Sequence, residues 1–449
     1  MRIRTISILI LAGAAMSPAS PAAVAPSAQS AARAATGAAP PWSPPQTLSS
    51  PRLFVDRPAL TFGGDGSALA SWVTGDGTVH GASRPPGADR FGAERRLARS
   101  RDHVLGPRAY GRRRALLATV HGERIAARFG TTAGAFGAPR AIATGRRHVA
   151  SPALAAAASG AAAVAWFENL GVATDRVYVA LRRPGRGFGA PLRLATGAIR
   201  RVAVTVGPRG QVLVAWSDKR GRIRVRTRPA GARRFPRADR LTALPALAPE
   251  LSLSVGRGGR ATLAAGSQAR SEGGDVGPAR FQAAVRPAGA RRFRAAQRLE
   301  TRDRGMVEPI RMIAATAAGR SLVAWTGFDG TRHRARAAAT GAGARFGPAQ
   351  DLSDPGRDAW IGDLAAPPGG SALAVWTAGA GDELAGQVQA ALAPRGAPFG
   401  PPEAVSADEE ARIPAAAFDP ATGRPAVIWS NRPAGSTPPI RTFAQLSLR

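Results

Sequence analysis

A short apolar run ending in tryptophan returns at near-regular intervals along the chain. It reads S-A-L-A-S-W at 67–72, A-A-A-V-A-W at 161–166, Q-V-L-V-A-W at 211–216, S-L-V-A-W at 321–325, S-A-L-A-V-W at 371–376 and P-A-V-I-W at 425–429. Degenerate copies, A-L-L-A-T-V at 115–120 and A-T-L-A-A-G at 261–266, fill the gaps, so successive landmarks lie 46 to 59 residues apart. A period of this length restricts the chain to units that stack or close radially, because none can bury its apolar face alone.

Each unit has one inner order. An apolar stretch such as 152–157 leads to a glycine turn such as G-P-R-G at 207–210, and then to the tryptophan run. A variable loop follows, then a branched stretch such as 177–181 or 223–227, then an R-P-A-G turn at 228–231 or 286–289. The unit closes on Phe-Gly-x-Pro and a short strand, as in F-G-A-P-L-R-L-A-T at 188–196. Branched residues favour strands, and Pro and Gly sit where turns need them. Four short strands per unit are the pattern of a β-propeller blade. The runs before tryptophan are apolar on both faces, as a strand sandwiched between blades requires. The tryptophans and the recurrent Phe91, Phe136, Phe188, Phe235, Phe293, Phe346 and Phe399 are therefore expected to pack between blades.

The expected fold is all-β: a propeller of eight four-stranded blades, with seven as the alternative because two units lack the tryptophan. The final unit lacks its closing strand, and W-S-P-P-Q-T-L-S-S at 42–50 matches the missing piece. Pairing the two termini would close the ring. The G-x-A-x-V-A-W and Phe-Gly-x-Pro-x-x-L-S rhythm resembles exported β-propeller repeat proteins of actinobacterial type, some of them sialidase-like. That resemblance covers nearly all of the chain after the leader. It implies the fold and export, and assigns no activity.

Residues 1–25 read as a signal peptide, with Arg2 and Arg4 ahead of an apolar run from Ile6 to Met16 and small residues after it. The run is too short for a membrane-spanning helix, and no later segment is long and apolar enough for one. Residues 26–41, rich in Ala, Ser, Gly and Pro, read as a flexible leader before a single domain at 42–449. The expectation is a secreted monomer. The chain has no cysteine, which excludes disulfides, thiolate metal sites and cysteine nucleophiles.

Net charge is +33, from 62 basic against 29 acidic residues, and Lys219 is the one lysine. Arginines recur at the third-to-fourth-strand turns: Arg84 and Arg90; Arg182, Arg183 and Arg186; Arg228, Arg233 and Arg234; Arg286, Arg291 and Arg292; then Arg345 and Arg395. A ring would gather these on one rim, suited to an anionic cell-envelope polymer or glycan. Nucleic acid is less favoured, because no free aromatics interleave the arginines to stack on bases.

No motif for catalysis stands out. A sialidase would carry several Ser-x-Asp-x-Gly-x-x-Trp boxes. The nearest sequence, S-D-P-G-R-D-A-W at 353–360, occurs once and is misspaced. Only Tyr110 and Tyr178 could act as a tyrosine nucleophile. The five histidines are scattered, so neither metal nor cofactor is expected. The variable-loop rim mixes acids and arginines as recognition surfaces do. Its candidate binding residues are Glu168, Asp175, Asp218, Arg304, Glu308, Asp329, Arg357, Asp358 and Trp360. The leading function is a non-enzymatic recognition or surface-association module. The alternative is a sialidase-like glycoside hydrolase using acids of this rim.

Overall fold

The computed structural model describes residues 42–50, 54–100, 102–144, 147–171, 174–243, 247–270, 276–302, 311–341, 343–379, 385–407, 410–431 and 443–449. The expected signal peptide and leader, and the candidate residues Arg304 and Glu308, lie outside them. Among the described residues every element is a strand, and no helix is long and apolar enough to cross a membrane.

The chain folds as a β-propeller with four-stranded blades. Successive repeats of four antiparallel strands occupy 55–99, 103–144, 149–197, 199–243, 247–302, 312–351 and 358–404, and an eighth has three strands in 411–448 and its fourth at 46–47; they are numbered 1 to 8 below. Repeats 1 to 6 are separate four-stranded sheets. Repeats 7 and 8 share one eight-stranded sheet, bridged by the pairs Ala385–Arg412 and Gly386–Ala411. Both expected counts thus have a counterpart, seven as sheets and eight as repeats. The first strands of the repeats contact one another in order, and the last returns to the first. They surround a central tunnel.

Closure is made by the two ends of the described domain. Gln46–Thr47 is the fourth strand of repeat 8, with Gln46 opposite Leu446 and Thr47 opposite Gln445. The Gln46 side chain also holds the next repeat: its Nε2 donates to the Phe91 carbonyl (2.8 Å) and its Oε1 accepts from Phe91 N (2.9 Å). Gln297 clamps Phe346, and Gln350 clamps Phe399, by the same pair of bonds. A primary amide carries both N–H donors and a carbonyl acceptor, so one side chain can meet the backbone C=O and N–H of a single residue.

Trp72, Trp166, Trp216, Trp325, Trp376 and Trp429 are all fully buried on second strands. Repeat 5 has Gly266 at the landmark. Its cross-strand partner Phe281 lies 6.4 Å from the Trp325 ring, so an aromatic on the third strand fills the space. Where tryptophan is missing from repeat 2, Val120 pairs with Ile125 and packs in the cluster that contains Trp166.

Most innermost strands carry a bulge. The register shifts between Asp56 and Ala59, Leu105 and Arg108, Ala150 and Ala153, and Arg412 and Ala415. Arg57, Ser151 and Ile413, each just before a proline, take positive φ there (52°, 47° and 52°). A non-glycine residue held in that region costs about 1–3 kcal/mol. Bulges of this kind bend the strand and re-aim its side chains, here at the tunnel wall.

Candidate functional site

In a four-stranded blade the first-to-second and third-to-fourth turns lie at one end, and that end holds most of the arginines. A buried arginine ends the third strand in several repeats and ties it to the first-to-second turn. Arg84 donates to the Gly66 carbonyl (3.1 Å) and to Asp419 of repeat 8 (2.9 Å). Arg182 donates to the Gly160 carbonyl and to Tyr110 Oη of repeat 2 (3.4 Å), with its guanidinium over the Tyr110 ring. Arg286 donates to the Gly259 carbonyl (3.1 Å) and to Thr227 Oγ1 of repeat 4 (3.0 Å). Each of the three joins its own turn to the preceding repeat. Arg84 is therefore not the free rim cation that the sequence spacing suggested: its position at the end of the strand turns it inward onto Asp419.

Arg228 holds the same place in repeat 4 without those partners. It is 8% exposed, its Nε is buried without an acceptor, and no described residue bonds its guanidinium. Burial pushes its pKa down, and the nearby Arg183 pushes it further. It lines a cleft of about 890 Å³ between repeats 3 and 4 together with Arg182, Arg183, Arg186, Arg209 and Arg233. No acidic residue lines this cleft, and Leu181, Leu192 and Val212 add apolar wall. Pro208 belongs both to it and to a second cleft of about 510 Å³, which Arg257, Arg260 and Arg395 line. Arg260 is already bonded to Ser321, Thr340 and Gly343. The remaining rim candidates, Arg90, Arg234, Arg291, Arg292 and Arg345, are exposed. Arg292 pairs with Asp239 at 3.6 Å.

The opposite rim is arranged differently. Asp175 accepts from Leu170 N (3.1 Å) and Ile199 N (2.9 Å), which fixes its own loop and the entry to repeat 4. Asp218 accepts from Arg220 N, Arg222 N and Arg222 Nε, and so brackets a turn. Asp329 accepts from Thr331 N, Arg332 N and Arg334. The amide of Arg332 leads the contacts that hold its carboxyl below the usual range. A general acid needs the opposite shift.

Glu168 is half-buried opposite Arg176, and Arg357 is exposed in the connection to repeat 7. Asp358 and Trp360 meet Asp329 through two residues that sequence reasoning did not select. Asp358 accepts from His333 N (2.7 Å), while His333 stacks on Trp360 at 5.6 Å. The neighbouring Arg334 donates to Asp329 and to Ser353. The candidates in repeats 6 and 7 are thus brought together, whereas those in repeats 3 and 4 stand elsewhere on the ring. Tyr110 is buried beneath Arg182, and Tyr178 stacks on Trp166 at 5.7 Å. Among the described residues no three acids or histidines converge as a metal site.

No family profile matches the chain, and no curated protein matches its sequence. Several solved structures align with it at low identity. A polysaccharide lyase described as an ulvan lyase aligns with a TM-score of 0.45 and 9% identity, over 89% of this chain and 94% of its own. A prolyl endopeptidase aligns at 0.46 and 13%, over 86% of this chain and 55% of its own. A Hadza microbial sialidase gives 0.34 and 11%, over 73% and 63%. No residue role passes from those proteins to this propeller.

Proposed function

We propose that this propeller is an exported, non-enzymatic recognition module that binds an anionic polymer, an acidic glycan of the cell envelope, across its basic face. The observation that carries the reading is Arg228, a buried cation whose counterparts are hydrogen-bonded and which instead faces an acid-free cleft of arginines. An uncompensated buried charge is costly, and an anion entering the cleft would offset that cost. Guanidinium groups bind carboxylate and sulfate-like oxyanions through paired N–H donors. The two clefts that meet at Pro208 give a track longer than one sugar, as a polymer needs. Export rests on the signal-like residues 1–25.

The test is retention of the purified protein on immobilised acidic polysaccharide and on isolated cell walls across a salt titration. Retention should fall steeply with salt, since exposed charge is screened. Arg228→Gln combined with Arg186→Gln should weaken it about tenfold or more, a loss of about 1.4 kcal/mol. Equal retention by the folded double variant, or no retention of the native protein at low salt, would overturn the proposal.

A further inference from the structure

A second group of arginines lies inside the ring, away from the basic face. A cavity of about 360 Å³ is walled by Arg57, Pro58 and Ala59 of repeat 1, Val104, Gly106 and Arg108 of repeat 2, and Ile413 of repeat 8; Arg311, just ahead of repeat 6, also reaches it. Val73 and Val79 supply an apolar side. The first strands of repeats 8, 1 and 2 are neighbours in the ring, so this is the wall of the tunnel.

Arg108 and Arg311, both exposed, differ from the buried arginines of the propeller. Arg84, Arg182, Arg260, Arg286 and Arg334 each donate to a carbonyl, hydroxyl or carboxylate. Among the described residues neither Arg108 nor Arg311 has a hydrogen-bond or ion-pair partner. Both are exposed, yet desolvation by the surrounding protein pushes both pKa values down. The carboxylate that acts against this is Asp363. Its own oxygens accept from Leu364 N (2.8 Å) and Ala416 N (3.1 Å). Arg57 pairs with its neighbour Asp56 at 3.4 Å.

The backbone around the cavity is held away from relaxed strand geometry. Arg57, Gly106 and Ile413, three of its lining residues, all sit in bulges with positive φ. Strained backbone that aims charged groups into a cavity gathers at ligand sites. Three guanidiniums against two carboxylates, Asp56 and Asp363, leave a net positive cavity with an apolar side.

We infer that the tunnel holds a second binding site, in which Arg57, Arg108 and Arg311 take the oxyanion of one small ligand, a carboxylate or a phosphate, with its apolar part against Val73, Val79 and Val104. The site is separate from the basic face, so the failure of either assignment leaves the other standing.

Calorimetric titration of the whole protein with inorganic phosphate, with glucuronate and with uncharged glucose tests it. Saturable binding of about one equivalent of phosphate or glucuronate, with none of glucose, is expected. Whichever anion binds more tightly identifies the oxyanion. Arg108→Gln and Arg311→Gln should each weaken that binding tenfold or more, while Arg228→Gln leaves it unchanged. No saturable binding of either anion, or undiminished binding by both folded tunnel variants, would overturn the inference. Phenylglyoxal modification of the native protein supplies a test that needs no variant. The bound anion should slow labelling of Arg108 and Arg311 but not of Arg228, and equal labelling with and without it would count against the site.

Discussion

The same arginine serves opposite ends in neighbouring repeats. At the end of the third strand Arg182 satisfies the Gly160 carbonyl and Tyr110, while Arg228 satisfies nothing among the described residues. Replacement by methionine separates the two roles. Arg182→Met leaves buried acceptors without donors and should cost about 1–3 kcal/mol in denaturant unfolding. Arg228→Met removes an unpaired buried charge and should be neutral or stabilising. Two variants of equal cost would contradict the contrast drawn between them.

Acid sensitivity also belongs to this scale. Burial raises the Asp65 pKa, but the Ser67 hydroxyl, Arg113 and the Ser67 amide outweigh it and hold the group at about 2 against an ordinary 3.8. Asp76 is held low mainly by the Thr74 and Thr78 hydroxyls. A depressed carboxylate stabilises the fold above its unfolded pKa, and that stability is lost as pH falls through the folded value. The melting temperature should therefore drop between about pH 4 and pH 2, and Asp65→Asn should flatten part of that drop. An identical acid profile for Asp65→Asn would remove Asp65 from the account.

The strand is the scale at which the repeat tolerates change. Repeat 5 lacks the landmark tryptophan because Phe281, across from Gly266, fills the inter-repeat space against Trp325. Phe281→Ala should cost about 3–5 kcal/mol, as deletion of a buried aromatic does elsewhere. A cost near zero would mean that the space closes on its own. This substitution across strands was not legible in the sequence: Gly266 reads as a degenerate copy, and nothing in the local pattern says which distant ring replaces it. The glutamine clamps were hidden for a related reason. Gln46, Gln297 and Gln350 sit at the same place after the closing aromatic, but their purpose appears only when the next repeat brings a phenylalanine backbone to the amide.

At the scale of the molecule, closure depends on residues 43–47. Ser43 N donates to the Leu448 carbonyl (2.7 Å), Gln46 and Thr47 complete the last repeat, and the Gln46 amide reaches repeat 1. Deleting 42–50 should lower the melting temperature sharply, because it opens a ring and exposes a strand edge. An unchanged melting temperature would show that the ring closes without them. The tight inner ring is visible at Gly362, where a Cβ would lie 2.4 Å from Pro414 of the next repeat.

The sequence by itself determined the repeat, the four-strand order within it, the burial of its tryptophans and the pairing of its two ends. These follow from period, apolar patterning and turn residues, which are local properties read along one chain. Tertiary structure decided which charges are free. Arg84, Arg182 and Arg228 look alike in the sequence, and only the neighbouring repeat supplies, or fails to supply, an acceptor. Arg57, Arg108 and Arg311 lie far apart in the chain and share a cavity only because the ring closes, with bulges in the strands that carry Arg57 and Arg108. Hydrogen bonding and desolvation depend on what surrounds a group in three dimensions, and spacing along the chain does not carry that information.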